Sequence, residues 1–198
     1  MNKMLNIFQL KSFEAEIAEA FNAAQIKAPV HLAGGNEQQL INLFSQEINE
    51  HDWVCTQWRS HYHALLKNVP PEQLKKDILE GRSITLTYPE QRVISSAIVG
   101  GILPIGLGIA ASIKRQMGRE RVWCFIGDMT AKTGIFNECV RYADGHDLPI
   151  RFVIEDNGKS VQTPTQETWG HPHPANRIRL IKYDLPWPHA GAGVRVNF

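Results

Sequence analysis

The chain has 198 residues, of which 43% are hydrophobic and 21% are charged, and its formal net charge is +1 at pH 7. A chain of this size can form one domain around one core, and its near-balance of charge gives no reason to expect nucleic acid or a membrane surface as a partner. The three cysteines are widely spaced, which fits neither a disulfide framework nor a zinc motif, so we predict a reducing compartment, the cytoplasm.

The N-terminal stretch MNKMLNIFQLK lacks a long apolar region, and we predict no signal peptide. The most apolar stretch, 97–113, has 17 residues and contains a proline and four glycines. It is shorter than the roughly 20 residues that span a bilayer, so we interpret it as a buried helix preceded by a glycine-rich turn. We predict a single domain over residues 1–198, with 164–198 as its C-terminal tail.

The spacing of apolar residues predicts helices and strands that alternate along the chain. Helices have apolar residues three and four positions apart, whereas buried strands are short continuous apolar runs. In chain order we predict a helix at 11–25, a helix at 37–48 capped by Asn36, a strand at 53–57, a short helix within 59–69, a helix at 72–79, a helix at 102–116, a strand at 121–126, a helix at 134–143 and a strand at 149–155. This alternation indicates an α/β fold with a parallel sheet flanked by helices.

Polar residues follow two of the predicted strands, at the point where each strand ends. Gly127 and Asp128 follow the run RVWCFI, and Asp156, Asn157 and Gly158 follow PIRFVIE. Because ligands of parallel α/β sheets bind beyond the carboxyl ends of the strands, we expect these residues to face a ligand. A carboxylate oxygen and an amide oxygen are the kind of ligands that hold magnesium together with phosphate oxygens. The alternative is that Gly127 and Asp128 only form a turn that caps a helix.

A longer pattern favours the ligand site. After Gly127-Asp128-Met129 come 26 residues and then Asp156-Asn157, which resembles the Gly-Asp-Gly and Asn-Asn signature of thiamine diphosphate-dependent enzymes. The stretches GDMTAKTGIFNE and DLPIRFVIEDNG are similar to those of the alpha subunits of 2-oxo acid dehydrogenase decarboxylase components. Upstream, HLAGGNE, WRSH and AIVGGILPIGLGIA resemble three further motifs in the family order. The resemblance covers residues 10–165.

The resemblance implies a thiamine diphosphate-binding fold of the diphosphate-binding type, with thiamine diphosphate and magnesium as cofactors. Asp128, the Asn157 side chain and the Lys159 backbone carbonyl are then the protein ligands of a magnesium ion that bridges the two phosphates. Arg59 contacts a phosphate, for which its fixed fork of donors is well suited. Val99 packs near the aminopyrimidine ring of the cofactor.

The resemblance also assigns Trp58, Gly127, Met129 and Thr130 to the cofactor site, and two of these depart from the family pattern. Trp58 stands where the family often has tyrosine, so an indole N–H replaces a hydroxyl that can reach phosphate. Met129 replaces the third glycine of the signature. Its backbone N–H still suits a phosphate, but its side chain disfavours a positive φ. Asp156, in place of the first asparagine, lies at a position that does not bind metal in the family.

The histidines lead to two further interpretations. The resemblance implies that His61 is a catalytic residue facing the thiazolium ring and the substrate, and the alternative is a structural hydrogen-bonding role. No cysteine or carboxylate cluster accompanies His63 or the pair His171 and His173 in the sequence. We therefore interpret these three as solvated loop histidines rather than metal ligands.

The resemblance further implies a separate partner chain. The glutamate that activates the aminopyrimidine belongs to a pyrimidine-binding domain, and 198 residues are too few to hold that domain as well. We therefore expect a beta subunit that supplies this glutamate, an α2β2 assembly, and no activity from this chain alone.

Three functions stay open at this point. The first is an alpha subunit that decarboxylates a 2-oxo acid, which the HLAGGNE and WRSH motifs favour. The second is half of a split transketolase that moves a two-carbon unit between sugar phosphates, which IEDNGKS and the short length favour. The third is a non-catalytic binding module.

The tail after Thr163 contains RIRLIKYDLPWP. We predict that this stretch is a solvated, proline-rich surface segment. The alternative is that it lines the partner interface or the mouth of the substrate site.

Overall fold

A computed structural model describes residues 5–161, 163–170 and 177–193, and their strands form a large sheet and a two-stranded ribbon. The strands are β1 Trp53–Thr56, β2 Thr87–Tyr88, β3 Val93–Ser95, β4 Val122–Gly127, β5 Ile150–Asp156, β6 Lys159–Ser160, β7 Thr163–Pro164 and β8 Ile178–Lys182. The large sheet has the order β2-β3-β1-β4-β5-β8, and β6 pairs with β7 in the ribbon. His171 and His173 lie outside the described residues.

Helices cover both faces of the large sheet. They are α1 Ile7–Asn22, α2 Glu37–Gln46, α3 His61–Leu66, α4 Pro71–Leu79, α5 Ile102–Arg115, α6 Gly134–Gly145 and α7 Thr165–Trp169, with a 3-10 turn at Thr130–Lys132. Buried residues of α1 to α4 pack on one face against Trp123 and Phe125, and those of α5 and α6 pack on the other against Cys124 and Ile126. Within the described ranges, no helix has the length and apolar character needed to cross a membrane.

The sheet is mostly parallel, which confirms the predicted fold class. β1, β3, β4, β5 and β8 run parallel to their neighbours, and β2 runs antiparallel to β3 at one edge. Val122 through Ile126 of β4 are all buried because successive side chains enter opposite, helix-covered faces. β4 and β5 are adjacent, and Gly127 is paired in register with Glu155, so the two polar strand ends meet at one edge of the sheet.

The sequence missed three strands of this sheet. β2 and β3 have two and three residues, too few to show a period. β8 lies in the tail, where the prediction of a solvated surface segment is wrong because Ile178 to Lys182 pair with β5. This strand has no apolar run that would have revealed it, since Arg179 and Lys182 interrupt the pattern and Leu180 is 45% exposed.

One helix start and one helix cap differ from the prediction. α1 begins at Ile7, because Asn6 and Gln9 form a capping box in which each side chain accepts the other residue's backbone N–H. α2 begins at Glu37 as predicted, but the Asn36 side chain makes no capping hydrogen bond. Its Nδ2 instead donates to Glu155 Oε1 at 2.7 Å. A tertiary contact with β5 thus replaces the local cap.

A buried carboxylate fixes the opposite edge of the sheet, where the strands begin. Asp52 is 1% exposed and its oxygens accept hydrogen bonds from the backbone N–H of Asn49 (3.0 Å), the backbone N–H of Arg121 (2.8 Å) and the indole N–H of Trp123 (3.0 Å). Lys67 Nζ donates to the Asp52 carbonyl at 2.8 Å. Asp52 therefore ties the start of β1 to the start of β4.

Asp52→Ala is expected to lower the free energy of unfolding by about 3 kcal/mol, because it leaves the buried Trp123 N–H and two backbone N–H groups without an acceptor. Urea unfolding followed by circular dichroism measures the change. Glu90→Ala, at an exposed position, is the control and should change stability little. Equal effects of the two substitutions would contradict this role of Asp52.

Candidate functional site

A cavity of about 110 Å³ opens at the carboxyl ends of β1, β4 and β5. Every residue that was assigned to the cofactor from the sequence lines this cavity, whereas the predicted catalytic histidine, His61, does not. The cofactor residues that line it are Trp58, Arg59, Val99, Gly127, Asp128, Met129, Thr130, Asn157 and Lys159. These residues are spread over about a hundred positions of the chain, and the parallel sheet brings them to one edge.

Asp128 is buried with an unsatisfied oxygen at the floor of this cavity. The residue is 7% exposed, and its Oδ2 has no hydrogen-bond partner among the described residues. Burial raises the pKa of the Asp128 carboxyl and the nearby Asp156 carboxylate raises it further, while the Thr165 hydroxyl and the Met129 backbone N–H oppose the rise without cancelling it. A buried carboxylate in this state is costly, and a bound cation would remove the cost.

Asn157 and Lys159 lie in a tight turn that follows β5. Asn157 Oδ1 accepts from the Lys159 backbone N–H at 3.3 Å, and Asp156 Oδ1 accepts from the Gly158 N–H at 2.9 Å. Gly158 has a φ of +77°, which its lack of a side chain permits. The turn sets the Asn157 amide beside Asp128 in the wall of the cavity.

The oxygen atoms at this edge fit magnesium better than a soft metal. A carboxylate, a side-chain amide and a backbone carbonyl are hard ligands, and magnesium completes its shell with phosphate oxygens and water. Nowhere in the described ranges do three His, Cys, Asp or Glu side chains form a metal-holding cluster. A cation at Asp128 would therefore depend on oxygens brought by a second ligand, as a diphosphate would bring them.

Met129 adopts a backbone conformation that any residue can adopt. Its φ is −69° and its ψ is −37°. The side chain in place of the signature glycine therefore introduces no backbone strain, since strain would arise only at a positive φ.

Arg59 lines the cavity, and some of its N–H donors already make hydrogen bonds within the protein. Its Nη2 donates to the His189 carbonyl at 2.8 Å and lies 3.4 Å from His189 Nδ1, while its buried Nε has no partner among the described residues. Burial lowers the pKa of Arg59, and nearby Tyr183, Glu155 and Asp128 oppose this. A guanidinium has five N–H donors, so donors are left for an anion.

Gln57 is a site residue that the sequence did not reveal. Its Oε1 accepts from the Gly127 backbone N–H at 2.9 Å, and its Nε2 donates to Thr130 Oγ1 at 3.0 Å. The side chain thereby fixes the start of the turn after β4. No motif marks this glutamine, because its role depends on the pairing of β1 with β4.

Glu155 and His63 form a second buried polar group behind the cavity. Glu155 lines the cavity, and burial raises its pKa to about 8. Burial also lowers the pKa of His63 to about 3. Burial thus opposes the charged form of both groups in the 3.5 Å contact between His63 Nε2 and Glu155 Oε2. His63 is 1% exposed and its ring packs against Phe125, so the prediction of a solvated loop histidine is wrong for it.

His61 lies in the core rather than in the cavity. Its ring is fully buried, with Nδ1 3.0 Å from Glu14 Oε1 and Nε2 2.9 Å from Ser83 Oγ. Glu14 Oε1 also accepts from the Ala33 backbone N–H at 3.1 Å. Both ring nitrogens are thus engaged within the fold, an arrangement that favours the structural alternative over contact with a substrate.

Residues 183–193, which we call the strap, lie against the loop that contains Gly34 and Gly35. The His189 carbonyl accepts from His31 Nδ1 at 2.7 Å as well as from Arg59. Trp187 Nε1 donates to the Ala33 carbonyl at 3.0 Å. Tyr183 and His189 line the cavity. The prediction that the tail is a solvated segment is therefore wrong for the strap as well as for β8.

The two glycines allow this close contact. Gly35 has a φ of +89°, and a Cβ at this position would lie 2.0 Å from the Asp184 carbonyl oxygen. A Cβ at Gly34 would lie 2.9 Å from the Pro186 ring. The backbone of the strap rests directly on the backbone of the loop, which side chains at these two positions would prevent.

The protein is an α/β domain with a mostly parallel sheet, and a carboxylate, an amide and an arginine meet at the strand ends where such sheets bind their ligands. The chain belongs to the dehydrogenase E1 component family, whose sequence model matches residues 6–180. This match confirms the resemblance to alpha subunits of 2-oxo acid dehydrogenase components, and membership of that family implies thiamine diphosphate as the cofactor.

Curated proteins similar to the chain carry related names. The pyruvate dehydrogenase E1 component subunit alpha of Porphyra purpurea is 30% identical over 164 residues, which cover 74% of this chain and 47% of that protein. The alpha subunit of acetoin:2,6-dichlorophenolindophenol oxidoreductase of Bacillus subtilis is 24% identical, covering 80% and 50%. The pyruvate dehydrogenase E1 component subunit alpha of Zymomonas mobilis is 25% identical, covering 83% and 49%. The chain thus spans about half the length of the curated relatives it matches.

Gly35→Ala is expected to lower the free energy of unfolding by about 2 kcal/mol and to loosen the strap, because alanine disfavours this φ and its Cβ would collide with Asp184. Urea unfolding measures the first effect, and faster limited proteolysis within 183–193 measures the second. Gly108→Ala is the control, since a Cβ on that α5 residue meets nothing within 4 Å. Protection of the strap equal to that in the control would contradict the contact.

Proposed function

We propose that this chain is the diphosphate- and magnesium-binding half of a thiamine diphosphate-dependent enzyme that decarboxylates a 2-oxo acid. The observation that carries the proposal is the unpaired, buried oxygen of Asp128 beside Asn157 and across from Arg59. Membership of the dehydrogenase E1 component family supports it. An anionic ligand with a bound cation satisfies the carboxylate and the guanidinium together, which neither a metal alone nor an anion alone would do.

Each lining residue then has a role in holding the cofactor. Asp128, the Asn157 side chain and the Lys159 carbonyl bind magnesium, and Arg59 binds a phosphate through donors that His189 leaves available. The backbone N–H of Met129 suits a phosphate oxygen as well. The burial of Asp128 strengthens the contacts made there, because electrostatic interactions are stronger away from water.

Residues at the open side of the cavity contact the rest of the cofactor. Val99 is 58% exposed and apolar, and it packs against the aminopyrimidine. When bound, the cofactor supplies a carbon nucleophile and an electron sink. Trp58 forms part of the wall, where its ring stands next to His31, with centroids 5.9 Å apart. In this proposal the buried contacts of His61 with Glu14 and Ser83 hold the start of α3, two residues after Arg59, and His61 touches no substrate.

The proposed enzyme also requires a second, partner chain. The curated relatives reported above are named as alpha subunits. A separate pyrimidine-binding beta subunit would supply the activating glutamate and would cover Val99, and an α2β2 assembly would follow. The 2-oxo acid would bind between the two chains.

The family match with dehydrogenase components weighs against the split transketolase reading, which rested on the short length and on IEDNGKS. The reading as a non-catalytic module predicts no cofactor binding. Cofactor binding and the choice of substrate distinguish the transketolase and the non-catalytic module from the proposed function.

Asp128→Asn is expected to weaken magnesium-dependent binding of thiamine diphosphate by roughly 100-fold or more, since even a residue that only orients a metal ligand contributes about 10- to 100-fold. Titration calorimetry of the chain with its partner measures the change. Asp156→Asn is the matched control, because Asp156 ends the adjacent strand and asparagine can still accept from Gly158. Retained affinity in Asp128→Asn would remove Asp128 from the site.

The partner is expected among the products of adjacent genes. Co-purification with such a product should give a complex of both chains, and the complex alone should consume a 2-oxo acid when thiamine diphosphate and magnesium are added. A screen that pairs 2-oxo acids with ketose phosphates identifies the reaction. Turnover by the isolated chain would overturn the requirement for a partner, and turnover of ketose phosphates alone would establish the transketolase reading.

A further inference from the structure

Tyr183, the first residue of the strap, lies between two cavities. A larger cavity of about 690 Å³ adjoins the first one. The residues that line both are Asp128, Asn157 and Tyr183. Asp128 and Asn157 are the side chains proposed to bind magnesium, and Tyr183 shares both cavities with them.

The fold holds Tyr183 there through its backbone and its ring. Its backbone N–H donates to the Asp156 carbonyl at 3.0 Å, which continues the pairing of β8 with β5 by one residue. The Cδ2 atom of its ring lies 3.2 Å from the point where a Cβ of Gly35 would be. Further along the strap, His189 and Trp187 anchor the segment to the loop on which the ring rests. The ring is therefore held in position before any ligand binds.

The hydroxyl of Tyr183 makes no hydrogen bond to the described residues. Burial raises the pKa of this phenol, Glu155 raises it further and Arg59 opposes the rise, so the hydroxyl keeps its proton at neutral pH. Tyr183 is half-buried, and its hydroxyl is accessible. The hydroxyl can therefore donate a hydrogen bond, and the described residues offer it no acceptor.

We propose that the Tyr183 hydroxyl donates a hydrogen bond to a phosphate oxygen of the diphosphate held at Asp128 and Asn157. The inference rests on the proposed function and adds a residue from the tail to it. Trp58 offers an indole N–H but no hydroxyl, and Arg59 gives one of its nitrogens to His189. The Tyr183 hydroxyl then supplies a neutral hydrogen-bond donor that the strand-end motifs do not contain.

The test uses the 198-residue chain with magnesium and two probes, inorganic pyrophosphate and thiamine diphosphate, in titration calorimetry. Tyr183→Phe keeps the ring against Gly35 and removes only the hydroxyl, so it should weaken both probes by about tenfold, as expected for a hydrogen bond to a charged group. Tyr142→Phe is the matched control, because Tyr142 is 52% exposed on α6 and its ring contacts His146. It should bind both probes as the unchanged chain does.

The outcomes separate the two proposals. If Asp128→Asn abolishes binding of pyrophosphate while Tyr183→Phe leaves it unchanged, the role of Tyr183 is overturned and the proposed function stands. If neither the unchanged chain nor its complex with the partner binds either probe with magnesium, both are overturned. Weaker binding in Tyr183→Phe with an unchanged circular dichroism spectrum and an unchanged strap proteolysis pattern supports the inference, since a packing defect would alter the proteolysis.

Discussion

The site depends on one energetic constraint, the burial of the Asp128 carboxylate at the end of β4. Five consecutive buried residues lead the chain to this point and place the carboxylate at the edge of the sheet, where the residue is 7% exposed. Its neighbours in the wall include Arg59, Asn157 and Lys159, which offer hydrogen-bond donors and hard oxygens. The hydrogen bonds of Gln57 and the turn after β5 keep these groups in position. The arrangement is unfavourable when the carboxylate is alone and favourable when a cation and an anion are bound together.

Much of this site could be predicted from the sequence, because its residues occur in short local patterns. Gly127 and Asp128 end an apolar run, Asn157 ends the next, and a parallel sheet must bring such ends to the same edge. The interval between the two motifs corresponds to one helix and one strand, α6 and β5. The fold class followed from this local information, and the cofactor residues were predicted from the resemblance of these patterns to those of the family.

The remaining features depend on contacts between distant parts of the chain. The Arg59–His189 hydrogen bond joins residues 130 positions apart, and the His31–His189 bond joins residues 158 positions apart. No local pattern encodes such pairs. The same limit explains His61, whose sequence motif suggested catalysis although Glu14 and Ser83 hold its ring in the core. It also explains Asn36, whose side chain contacts β5 instead of capping α2.

The contact of Gly35 with the strap has a consequence for how the protein folds. The loop around Gly35 lies in the first fifth of the chain and the strap near its end, so their contact closes a very long loop and has a high contact order. Such contacts form late, after β4, β5 and β8 have assembled the edge that carries the strap. The wall of the cavity that contains Tyr183 and His189 would thus be completed last. A ligand bound there would stabilise the folded form of the strap by mass action, so that filling the site would favour the completed structure.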